Sequence, residues 1–97
     1  MSTRTKELTK HQRDILDALA NDYENIRHIR ELIGFDISSK RLNDDLWTLI
    51  QEGYVGCFSS TAATMEPVRH PQRQGLNSYW FALTKLGEQL LSSLLHR

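Results

Sequence analysis

Residues 38–54 read SSKRLNDDLWTLIQEGY, and the rest of the chain is organised around them. At helical period Leu42, Leu46, Leu49 and Ile50 fall on one face, spaced i, i+4, i+7 and i+8. Lys40, Arg41, Asn43, Asp44, Thr48 and Gln51 fall elsewhere and are expected to be wet. Ser38 or Ser39 suits the start, because a hydroxyl accepts from the first unpaired backbone N–H groups. Gly53 suits the end, because glycine takes the left-handed C′ conformation without a Cβ penalty. The stretch therefore predicts a helix over residues 39–52 with an oily back and a hydrophilic front.

Upstream, Thr9 and Gln12 form a capping-box pattern, and Ile15, Leu16 and Leu19 give an apolar stripe up to about Ala20. Asn21 and Asp22 break it. Asn25 caps a second predicted helix over residues 26–33, with Ile26, Ile29, Leu32 and Ile33 on its inner face. Gly34 stops it. Two short helices joined by a glycine-containing turn, the second polar-fronted, form a helix-turn-helix pattern.

After Gly53 the period changes from 3.6 to 2. Residues 54–59 read as one strand and residues 78–83 as another, aromatic-rich as strands prefer. Residues 60–77, with two prolines and many polar side chains, are expected to form a long hairpin loop with an extended, partly disordered tip. Thr84 then caps a last helix over residues 85–95. Residues 1–8 are polar and charged and read as a flexible arm, leaving residues 9–97 as one domain.

The order helix, helix, helix, hairpin, helix resembles the winged helix-turn-helix domains of small PadR-like and MarR-like transcription regulators. The resemblance covers about residues 9–91. It rests on LNDDLWTLIQEGYV (42–55), similar to a recognition helix running into the first wing strand. It rests also on YWFALTKLG (79–87), similar to the second wing strand and the L-T-x-x-G start of the next helix. The long wing and the two acids Asp44 and Asp45 depart from that pattern. The implied fold is mainly α with a β-hairpin wing, in the order α-α-α-β-β-α. The implied function is sequence-specific binding of double-stranded DNA by a bacterial or phage transcription regulator.

On that reading Ser39, Lys40, Arg41, Asn43, Asp44 and Thr48 face the major groove. Arginine forks onto guanine O6 and N7, and asparagine onto adenine N6 and N7. Asp44 and Asp45 have several candidate roles: accepting from cytosine N4, orienting Arg41, or repelling phosphate. Arg69 and Arg73, with His70 and Gln74, sit in the long loop, where they would reach phosphates or a minor groove. Arg27 and Arg30 take backbone-facing positions, or pair with Glu31 or Asp22. Trp47, one step off the apolar face, is expected partly buried against the wing rather than stacked on a base. Of Tyr79 and Trp80, one should be core and the other exposed.

The last helix carries more leucines than one core needs. Leu86 and Leu90 are expected to cover the domain, leaving Leu91, Leu94 and Leu95 partly free as a homodimer seam.

Composition bounds these readings. The chain has 97 residues, 39% hydrophobic and 25% charged, enough for one small core. No run approaches the ~20 apolar residues that cross a bilayer. The start lacks a secretory apolar region, which makes cytoplasm the default. Cys57 is alone and reads as a small strand residue, buried or half-buried. The four histidines show no metal spacing, and no phosphate-binding glycine loop or nucleophile elbow is present, so no enzyme and no cofactor or metal is expected.

Net charge is zero, which counts against simple phosphate-driven binding. The charge is segregated, however: residues 1–13, 25–41 and 67–97 are net basic, the rest net acidic. The alternative function is therefore a winged-helix protein-interaction module, such as a phage-encoded modulator of a host protein, that does not bind DNA.

Overall fold

The computed structural model describes residues 8–95. The arm expected at residues 1–8 lies outside them except for Leu8, which packs half-buried against the core. Helix α1 spans Lys10–Ala18, and its capping box is made: Thr9 Oγ1 accepts from the Gln12 N–H, and Gln12 Oε1 from the Thr9 N–H, both at 3.1 Å. A two-residue strand β1, Glu24–Asn25, precedes α2, Ile26–Ile33. Asn25 caps α2 by accepting from the His28 N–H at 2.8 Å, and Gly34 ends it at φ 107°. Helix α3 spans Ser39–Gln51, with Ser38 accepting from the Arg41 N–H at 3.1 Å. Gly53, at φ 85°, turns the chain into the sheet.

Strands β2 (Val55–Ser60), β3 (Met65–Pro67) and β4 (Trp80–Leu83) join β1 in an antiparallel sheet of order β1-β4-β2-β3. Cys57 lies opposite Phe81 and Phe58 opposite Trp80, so Val55, Cys57 and Phe81 face the helices together. Helix α4, Lys85–Leu95, packs against α1 and β4 and adds Leu91 to the core. The core collects Ile15, Leu16 and Leu19 from α1, Ile29 from α2 and Leu42, Leu46 and Leu49 from α3. Burial pushes the Cys57 thiol up to about 11, so it stays a protonated packing residue at neutral pH.

Thr84 ties the two halves of the domain together. Its hydroxyl accepts from the Gly87 N–H at 3.0 Å and donates to the Gly53 carbonyl at 2.6 Å. Its own N–H donates to the Tyr54 carbonyl at 3.1 Å. Gly87 sits so close to that carbonyl that a Cβ there would lie 2.1 Å from the oxygen. The L-T-x-x-G pattern thus marks the place where α4 docks on the end of α3.

Several expectations are corrected. Residues 60–77 form ordered structure: a tight turn, strand β3 and a 3₁₀ helix over Arg73–Ser78 whose Leu76 is buried. Leu32 is 60% exposed, because it points about 100° from Ile33 around a helix of only eight residues. Tyr79 and Trp80 are both half-buried, and Phe81 takes the core position. Leu91 is buried in the core and Leu86 is exposed, reversing the expected division on α4. The reason is Gly87: its close docking turns the Gly87–Leu91 line, spaced i, i+4, toward the domain. Leu94 stays half-buried and Leu95 is exposed. Trp47 is half-buried, as expected, but it packs against the core cluster.

Candidate nucleic-acid interface

The front of α3 is built by its helical period. Lys40, Asn43 and Asp44 share an i, i+3, i+4 face and stand at the outer side of the first turns. The 3₁₀ helix brings Arg73 and Gln74 to the same place. These five residues line one open recess of about 650 Å³.

Asp44 is its centre. Lys40 Nζ donates to Asp44 Oδ2 at 3.1 Å, and Arg73 Nη2 donates to Asp44 Oδ1. The Lys40 hydrogen bond, with Arg73 adding to it, outweighs partial desolvation and holds the Asp44 carboxyl below the usual carboxylate range. Two cations around one anion leave the recess net positive.

Asp45, its neighbour in sequence, does something different. It is buried against α1, accepting from Gln12 Nε2 at 3.4 Å, with Arg41 Nε 3.6 Å away as an ion pair. Its Oδ2 has no hydrogen bond. Gln12 therefore caps α1 with one end of its amide and anchors α3 with the other. Arg41 balances a buried charge, and swinging it out to a base would leave that charge uncompensated. Asp45 and Gln12 were missed as a pair in the sequence. The signal existed, since Asp45 is three residues after Leu42 and four before Leu49, on the apolar side of α3.

The other candidate residues are dispersed. Arg30 donates to Ser39 Oγ and lies 5.8 Å from the centroid of the Phe35 ring, so both Arg30 and Ser39 serve the turn between α2 and α3. Arg27 pairs with Glu31 at 3.7 Å on the surface. Thr48 is half-buried and donates its hydroxyl to the Asp44 carbonyl at 2.9 Å. Arg69 is exposed beyond β3, away from the hairpin turn. That turn, residues 61–64, carries no charge at all. Among the described residues no cluster of His, Cys, Asp and Glu is placed to hold a metal ion. No helix among them is long and apolar enough to cross a membrane.

Compared with solved structures, the chain superposes on the crystal structure of the adhesin competence repressor AdcR from Streptococcus pyogenes with a TM-score of 0.67. It has a winged helix-turn-helix fold. The identity is 18%, over 93% of this chain and 57% of that one, so the chain spans a little over half of the repressor's length. No family model matches the sequence, and no curated protein matches it. Within the winged helix, α3 is the second helix of the helix-turn-helix and β2–β3 form the hairpin of the wing. The 3₁₀ helix is the return from that hairpin to β4.

Proposed function

We propose that this winged helix binds double-stranded DNA sequence-specifically, as part of a small bacterial or phage transcription regulator. The observation that carries the reading is the net-positive recess where Lys40, Asn43, Arg73 and Gln74 stand together on the front of the recognition helix. The first turns of α3 enter the major groove, the usual mode for such a helix. Lys40 and Arg73 hold phosphates, which fix the register, and Asn43 reaches base edges. Ser39, Arg27, Arg30, Arg41, Asp44 and Thr48 support the surface more than they read with it, since Asp44 is the acceptor shared by Lys40 and Arg73 and the others do not line the recess. Two copies joined through the outer side of α4, by Leu94 and Leu95, would present two reading helices to two half-sites. A Leu95→Lys variant that sediments like the wild-type chain removes that pairing.

Fluorescence anisotropy with a mixed-sequence duplex tests the reading. Binding at low salt should weaken log-linearly with added salt. Lys40→Ala should lower the slope by about one and weaken all duplexes alike. A chain that binds no duplex at micromolar concentration and low salt sinks the proposal.

One observation favours a second reading, a protein-interaction module without DNA binding. Asp44 answers Lys40 and Arg73, Asp45 answers Arg41, and the net charge is zero. Absence of a gel shift, together with capture of a defined protein partner lost on Lys40→Ala, decides for it.

A further inference from the structure

The segment after the hairpin is built more firmly than a connecting loop needs to be. Leu76 is 1% exposed and inserts into the core from within the 3₁₀ helix. The Gln72 N–H donates to the Tyr79 hydroxyl at 3.1 Å, closing the segment at its start. Gly75 packs on that same hydroxyl, where a Cβ would come within 3.1 Å. Arg73 reaches Asp44 on α3, 29 positions away in the chain. A buried leucine, a backbone-to-side-chain bond and an ion pair together fix one face of the segment beside α3.

We infer that the 3₁₀ helix Arg73–Ser78 is a second base-reading element that completes α3, with Gln74 paired to Asn43 as a reader of adjacent base pairs. The inference rests on the DNA-binding reading and extends it. Two carboxamides, Asn43 and Gln74, line the recess around the Asp44 carboxylate. A carboxamide presents a donor and an acceptor in the spacing of adenine N7 and N6. Placed beside the first turns of α3, Gln74 meets the major groove, not the minor groove that a wing tip would enter. Asp44 is the clasp: it spaces Arg73 from Lys40 and thereby sets where Gln74 stands. The preferred site carries two A·T pairs, one for each amide.

Selection from a random duplex pool, followed by affinity measurement on the enriched site, tests this. Gln74→Ala should lose preference at one A·T pair and weaken binding to the enriched site by roughly 5- to 150-fold, with the salt slope unchanged. Replacing that adenine with 7-deaza-adenine, which removes only the major-groove N7 acceptor, should weaken the wild-type chain and leave Gln74→Ala indifferent. Asp44→Asn should keep the fold by circular dichroism yet discriminate less between enriched and mixed-sequence duplex. If Gln74→Ala enriches the same site with unchanged affinity while Asn43→Ala does not, DNA binding stands and this inference falls. If the wild-type chain enriches no site, both fall.

Discussion

Two regions of the same stretch, residues 60–77, differ in how they are held. The hairpin turn holds only itself. Thr61 donates its N–H to the Thr64 carbonyl at 2.8 Å, and its Oγ1 accepts from the Thr64 N–H at 3.0 Å, with residues 61–64 all exposed. The return is held by the rest of the protein, through Leu76, Tyr79 and Asp44. The turn carries no charged side chain, whereas the return places Arg73 and Gln74 beside α3. Length and polarity therefore do not decide which part of a wing is structured. Apolar side chains with a place in the core do, Leu76 fully buried and Val68 half-buried against it, because their burial offsets the entropy of ordering their neighbours.

Removing that anchor should have the largest effect. Leu76→Ala strips a fully buried side chain and leaves a cavity, which costs about 3 kcal/mol. Urea denaturation measures it. The amide of Gln74 should then exchange with solvent far faster than those of β2, because the segment loses its hold on the core. A loss below about 1 kcal/mol would mean that the return is no better anchored than the turn, and the contrast between them would go.

The contrast also explains what the sequence did and did not disclose. The helices were legible because their signals are local: Thr9 with Gln12, Asn25, Ser38, Gly34 and Gly53 each act within a few residues. The L-T-x-x-G pattern was legible as a strand-to-helix junction, and the Tyr54 carbonyl packed against Gly87 gives it a physical cause. Strands β1 and β3, of two and three residues, are too short to show a period. Leu76 stood alone among polar residues, with no repeat to mark it as core. Asp44 and Asp45 are chemically identical; the period of Leu42 and Leu49 puts Asp45 on the apolar side, but its partner Gln12 lies 33 positions away on α1, and no local signal marks it. On α4 the leucine run was plain, but which leucine faces inward depended on how closely Gly87 docks.

The clasp itself can be opened by acid. Lys40 and Arg73 hold the Asp44 carboxyl below the usual range, so its ionised form is favoured in the folded chain. A group depressed in this way contributes stability above the ordinary carboxylate range, and that contribution fades as pH falls through the lowered value. NMR titration should show the Asp44 carboxyl titrating below the ordinary carboxylate range. The signals of Arg73 and Gln74 should follow it, while those of residues 61–64 should not respond. In Asp44→Asn the coupled change in the return should vanish. An Asp44 carboxyl that titrates in the ordinary range would mean that the ion pairs with Lys40 and Arg73 do not hold the return in solution.

The smallest effect belongs to the turn. Thr61→Ala removes the hydroxyl that accepts from the Thr64 N–H and donates to the Thr64 carbonyl at 2.8 Å. The bond from the Thr61 N–H to that carbonyl remains. Every group released is exposed, so water replaces the lost partner, and the cost should stay within about 0.5 kcal/mol. Duplex affinity should change less than twofold, since no charge or base-reading group is lost from the turn. A tenfold loss of binding with an intact fold would reverse the assignment: the exposed turn, and not the anchored return, would then be the part of the wing that meets DNA.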